Sequence, residues 1–205
     1  MTARPALATV LVAGALCGCG DSGDGGETTT TLPPAPAPHE TVDKLPKLPA
    51  SWHRFVDERG GFALGLPRGW TVRRTGSNAL IRSYDHLVAV SVAPDRSPGA
   101  LEVPIEDFAT RTADALPGLR GELRRAEMRR YRHRYDGTEI RARATARGGI
   151  DQRLSVIVLR RDSVATLTVV VAANAKPAAE PSLRLARHVV ATLRTRPPSR
   201  SDTQQ

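Results

Sequence analysis

A chain of 205 residues with a formal net charge of +9 is long enough for one ordinary domain once flexible ends are set aside. Its cysteines, Cys17 and Cys19, both lie near the start, so four-cysteine and two-cysteine, two-histidine zinc sites are excluded by counting. A domain downstream of them has no disulfide and draws its stability from a packed core.

Residues 1–18 have the features of a short export signal. Arg4 is the lone charge, and an apolar run from Ala6 to Leu16 follows it. A membrane-spanning helix needs roughly 20 apolar residues. This run is much shorter and leads into Gly20-Asp21-Ser22-Gly23-Asp24, which argues against a span. Leu16-Cys17-Gly18-Cys19 resembles the bacterial lipoprotein signal, an aliphatic residue and two small residues before a cysteine. The resemblance implies a diacylglycerol on Cys19, palmitate-type acylation and attachment to the extracytoplasmic face of the cell membrane. An ordinary cleaved secretory signal is the alternative.

Residues 19–50 are expected to be a disordered tether. Gly20–Gly26 is flexible and acidic, Thr28–Thr31 is a homopolymer, and Leu32–Pro38 favours extended polyproline II. With few large apolar residues, the segment cannot offset the entropy of ordering. Between Cys19 and Ala50, five acids face Lys44 and Lys47, a local balance of −3, so the positive excess belongs to the rest. That excess is almost all arginine, since Lys176 is the only other lysine. An exported protein does not meet nucleic acid. An acidic protein or an anionic envelope polymer is the expected partner, besides the membrane reached through the lipid.

A domain over residues 51–195 follows. Phe62, Leu64 and Leu66 alternate with Ala63 and Gly65, the period of a strand with one buried face. Pro67-Arg68-Gly69 predicts a turn into a returning strand that starts at Trp70. Ala79–Arg82 and Leu87–Ala93 read as two more strands. Pro104 opens a helix in which Ile105, Phe108, Ala109, Thr112 and Leu116 recur at helical spacing, with Glu106 and Asp107 in its first turn. Long strands are expected over Glu122–Tyr135 and Thr138–Arg147, joined at Asp136-Gly137. Gly148-Gly149 turns into Gln152–Arg160, and Arg161-Asp162 turns into Ser163–Ala173. A closing helix carries Leu183, Ala186, Val190 and Leu193 on one face. Residues 196–205 are polar, without periodicity, and expected to be disordered. This order predicts a single α+β domain, an α/β/α sandwich around a mainly antiparallel sheet.

Gly61-Phe62-Ala63-Leu64-Gly65-Leu66-Pro67-Arg68-Gly69-Trp70 resembles the opening of PsbP-like and DcrB-like domains: a Gly-Phe strand, a Pro-x-Gly turn and a tryptophan on the next strand. The likeness extends in element order over roughly residues 52–195. It implies the same sandwich, and a binding or assembly subunit without a shared catalytic centre. The family supplies no catalytic residues to carry onto this chain.

The candidate site is basic. Arg129, Arg130 and Arg132 crowd one predicted strand, and Arg141, Arg143 and Arg147 alternate with small apolar residues on the next. That alternation turns the second set outward together. Guanidinium groups match the oxygens of phosphates and carboxylates as a fork. The competing reading is a solvated face from an arginine-rich composition, partly neutralised by Glu122, Glu127 and Glu139. His53, His86, His133 and His188 fall on separate elements, and Asp85-His86 reads as a turn rather than an acid–base pair. No Gly-x-Ser-x-Gly elbow or phosphate-cradling loop occurs, and no cofactor or metal is implied. The expected function is a non-catalytic binding or assembly module for an envelope component. The alternatives are a carrier with an apolar pocket between helix and sheet, and an envelope hydrolase.

Overall fold

The computed structural model describes residues 47–116, 119–161 and 165–196. Cys19, the tether up to residue 46 and the tail from residue 197 lie outside the described residues. Among the described residues, ten strands form two sheets, and every pairing within them is antiparallel. The small sheet has the order β1-β2-β10, from β1 (Trp52–Asp57), β2 (Phe62–Pro67) and β10 (Arg194–Thr195). The large sheet runs β3-β4-β5-β9-β8-β7-β6. Its strands are β3 (Thr71–Thr75), β4 (Asn78–Arg82), β5 (Val88–Asp95), β6 (Leu119–Arg130), β7 (Asp136–Ala146), β8 (Asp151–Arg161) and β9 (Ala165–Asn174).

The centre of the large sheet is β9, Ala-Thr-Leu-Thr-Val-Val-Val-Ala-Ala-Asn, whose first seven residues are buried. β-Branched side chains covered on both faces suit a central strand. One face carries Leu167, Val169, Val171 and Ala173. These pack with Val88, Val90 and Val92 of β5 under Leu183, Ala186, Val189 and Val190 of helix α3 (Glu180–Ala191). Phe62, Leu64 and Leu66 of the small sheet complete this main core, with Trp70 and Leu193. The opposite face carries Ile140, Val156 and Val158, covered by Ile105, Ala109 and Ala113 of α2 (Ile105–Asp114). The short helix α1 (Pro98–Glu102) lies before α2, capped by the Ser97 hydroxyl. This is the expected single-domain α+β architecture, with helices on both faces of an antiparallel sheet.

The structure departs from the sequence reading in two turns. The Pro67-Arg68-Gly69 turn, with Gly69 at φ +82°, does not join a hairpin. β2 pairs with β1 and β10, while β3 pairs with β4, so the chain changes sheets there. The apolar alternation of β2 is satisfied by α3, and its edge by residues 194–195 arriving from the far end of the chain. Likewise Asp136-Gly137 is not the β6–β7 turn. Asp136 pairs with Arg160 and Gly137 with Leu159, and the connection is Tyr131–Tyr135. Tyr135 is buried and its hydroxyl accepts from the Thr195 backbone N–H at 2.9 Å, a tertiary anchor that overrides the local turn signal. Gly149 does take positive φ, +77°, in the β7–β8 turn as its sequence suggests.

Candidate functional site

The two helices cover different parts of the large sheet. α3 and the small sheet lie over β4, β5 and β9 and reach Ile157 and Leu159 of β8, so the same face of β6, β7 and the start of β8 is left with polar side chains. The antiparallel register arranges these in rows. Arg124, Arg143 and Arg153 are directly opposite one another; next come Glu127, Arg141 and Ser155, then Arg129, Glu139 and Ile157. Like charges facing across strands are destabilising unless compensated. Compensation is built in. Arg124 reaches Asp151 at 2.9 Å, while Arg153 reaches Glu180, in the first turn of α3, at 2.8 Å. Hydrogen bonds from Thr145 and Arg124 hold the Asp151 carboxyl below its usual range, and that from Arg153 does the same for Glu180.

Glu139 is the organising residue. Its side chain is 4 % exposed, with Arg129 Nε at 2.8 Å and Arg141 Nε at 3.0 Å from its two oxygens. Ser155 Oγ donates a further short hydrogen bond to it. A buried carboxylate needs such partners. In return it fixes two arginine side chains that remain partly exposed to solvent. Between this row and α3 lies a crevice of about 130 Å³, lined by Tyr131, Glu139, Arg141, Arg153, Ser155 and Arg187 over an apolar floor of Ile157, Val171 and Leu183. Leu183 and Arg187 lie four residues apart on one side of α3, Leu183 buried against the sheet and Arg187 exposed at the rim of the crevice. Burial, reinforced by the Glu139 charge, raises the Tyr131 phenol pKa, so the hydroxyl stays protonated and can donate.

The six arginines singled out from sequence thus have different addresses. Arg129, Arg141 and Arg143 come together on the crevice face. Arg130 is exposed opposite Thr138, on the alternate parity of β6. Arg132 lies in the β6–β7 connection and Arg147 in the β7–β8 turn, at opposite ends of β7. Sequence reasoning missed Arg153, Ser155, Tyr131 and Arg187 as members of the site. The polar alternation Arg153, Ser155 on a strand otherwise apolar was the available signal.

Asp85, His86 and His133 lie outside the lining of this crevice. Asp85 accepts from Ser83 Oγ, from the Leu87 N–H at 3.0 Å and from Ser182 Oγ at 2.7 Å, tying the β4–β5 turn to α3. Burial alone would raise its pKa, but these hydrogen bonds outweigh it and hold the carboxyl low. His86 beside it is exposed and has φ +58°, so the two residues form a turn. His133 sits between Tyr131 and Tyr135, its ring centroid 5.0 Å from that of Tyr135. Among the described residues, no group of three or more His, Cys, Asp or Glu side chains is placed to hold a metal ion. None of their helices is long and apolar enough to cross a membrane.

No protein-family model matches the sequence, and no curated protein matches it. Solved structures do. The solution structure of cyanobacterial PsbP (CyanoP) from Synechocystis sp. PCC 6803 is similar with a TM-score of 0.52 at 15% identity, over 71% of this chain and 93% of that one. A Bacteroides thetaiotaomicron VPI-5482 protein is similar with a TM-score of 0.52 at 12% identity, over 74% of this chain and 50% of that one, so this chain spans half of it. Likeness at these identities establishes fold alone, and the fold of this domain is PsbP-like.

Proposed function

We propose that the protein is a non-catalytic binding module of the cell envelope, anchored to the membrane by a lipid on Cys19. It engages an acidic protein or an anionic envelope polymer through the β6–β8 face beside α3. The observation that carries this reading is the row Arg124, Arg143, Arg153 on the sheet face beside α3, flanked by Arg141 of β7 and Arg187 of α3. Asp151 and Glu180 offset only part of the repulsion along this row, and guanidinium forks pair with carboxylate and phosphate oxygens. The PsbP-like fold supports a binding role through likeness only. The apolar floor of the crevice favours a carrier as second reading. Its volume, about 130 Å³, is below the about 150 Å³ of a cavity that takes one benzene ring, which is too little for an acyl chain.

The test uses the full chain in intact cells. A photo-crosslinking residue at Arg143 should capture a partner, identified by mass spectrometry. The joint Arg141→Gln and Arg143→Gln variant should lose capture by a cross-linker placed at Ser155. Unchanged capture in that charge-neutralised variant contradicts the reading. In parallel, Cys19→Ser should move the protein from the membrane to the soluble fraction; continued membrane partitioning contradicts the anchor.

A further inference from the structure

The chemistry of the group bound can be taken further, on the footing of the binding role just proposed. We propose that the crevice between α3 and the β6–β8 face is a site for one phosphoryl dianion, held by Arg141, Arg153 and Arg187 with the Tyr131 hydroxyl as a further donor. The three guanidinium groups come from three elements, β7, β8 and α3, and line one opening. A planar carboxylate satisfies one fork; a tetrahedral phosphoryl group offers oxygens to donors arriving from several directions.

The charges agree with a dianion. On this face and the adjoining helix, Arg124, Arg129, Arg141, Arg143, Arg153 and Arg187 meet the four carboxylates Glu127, Glu139, Asp151 and Glu180, which leaves two positive charges unbalanced. A phosphate monoester carries about −1.5 to −2 at neutral pH. Donors are also left over. Glu139 engages Arg141 through Nε, so the terminal nitrogens of that fork remain for a ligand. Glu180 engages Arg153 through Nη1, so Nη2 of that fork remains for a ligand at the crevice. Among the described residues Arg187 has no ion pair. The floor of Ile157, Val171 and Leu183 excludes water on one side, which strengthens charge–charge attraction at the mouth. The crevice admits a head group, not a chain.

The same chemistry arises from free phosphate or from a phosphomonoester head group. Isothermal titration of the full chain in neutral detergent, with inorganic phosphate in one arm and dihexanoyl phosphatidate in the other, separates them. Saturable binding of either supports the site, and the tighter probe identifies the source. Arg187→Gln, on the exposed side of α3, and Arg153→Gln should each weaken binding about 10- to 100-fold. The far arginine Arg147→Gln should bind as wild type. Absence of saturable binding by both probes overturns the proposal. So does equal weakening by Arg147→Gln, which would mean a diffuse charge effect. So does wild-type binding in the Arg187 and Arg153 variants when their melting curves show them folded; should Arg153→Gln fail to fold, Arg187→Gln alone decides. If phosphate binding fails while cellular cross-linking at Arg143 persists, the phosphoryl site falls and the binding role stands. If both fail, the binding role falls as well.

Discussion

Glu139 shows how a single buried charge organises a surface. Its partners Arg129 and Arg141 are 43% and 37% exposed, so solvent screens part of each ion pair. Breaking a buried pair costs about 3–5 kcal/mol when both partners are sequestered. With half-exposed arginines, Glu139→Gln should lower the unfolding free energy by about 1–3 kcal/mol, read from the urea midpoint. The exposed pair Arg124–Asp151 makes the internal comparison, since Asp151→Asn should leave the midpoint close to wild type. An equal loss in both variants would remove the special role assigned to Glu139.

His133 tests a second kind of residue effect. Burial, with Arg194 and Arg134 nearby, lowers its pKa to about 4. Nδ1 accepts from the Tyr135 N–H at 3.2 Å, so the neutral ring carries its proton on Nε2, buried without a good acceptor and turned towards the end of α3. The unfolded chain takes up this proton near pH 6.5, the folded one only near pH 4. The contribution is therefore complete above pH 6.5, declines as pH falls between these values and is lost below about 4. Screening of the partly exposed ring limits it to the order of 1–2 kcal/mol. His133→Phe should flatten the stability profile in that window; an unchanged slope would show that carboxylates elsewhere cause it.

At the scale of elements, the β6–β7 connection matters more than its length suggests. Tyr135 crosses to β10, where its hydroxyl accepts from the Thr195 N–H, and Arg161 donates to Thr195 Oγ1 at 2.9 Å. The two residues of β10 return the chain after α3 to the edge of β2. Tyr135→Phe removes an acceptor from a buried N–H and should cost about 1–3 kcal/mol. It should also speed amide exchange at Thr195 more than at Val169 in the centre of the large sheet. Uniform acceleration would mean that the bond stabilises the whole domain rather than this junction. The same connection marks where sequence patterns stopped being sufficient. α2 and α3 were legible because one periodicity runs through each, and β9 because its β-branched content suits a strand covered on both faces. Asp136-Gly137 is a genuine local turn signal, but pairing with Arg160 and Leu159 and the burial of Tyr135 outweigh it. The change of sheet after β2 depends on Arg194 and Thr195, which no local window contains. The crevice was half legible for the same reason. Arg141 and its neighbours alternate visibly, whereas Arg153 and Arg187 join them only once β8 and α3 are packed.

At the scale of the whole molecule, the net charge of +9 opposes compaction while equipping the surface for anions. The outer edge strand β6 carries this conflict. Its register with β7 breaks on both sides of Arg124, and Arg125 takes φ +53°, irregularities that hinder a further strand from adding to an exposed edge. Arg124 still faces Arg143, which in turn faces Arg153. Raising salt from about 0.01 M to about 1 M shortens the screening length from about 30 Å to about 3 Å. Repulsion across that row is then damped, and so is the attraction for an anionic partner. The two effects have opposite signs in experiment. Melting temperature should rise with sodium chloride, while affinity for phosphate or an acidic partner falls steeply over the same range. Sodium sulfate separates the mechanisms further. Sulfate is a tetrahedral dianion, so at equal ionic strength it should stabilise more than chloride and lose that advantage in Arg187→Gln, beyond any general salting-out common to both proteins. An equal sulfate advantage in wild type and variant would assign the stabilisation to bulk solvent, and the arginines would then be a solvated face and no more.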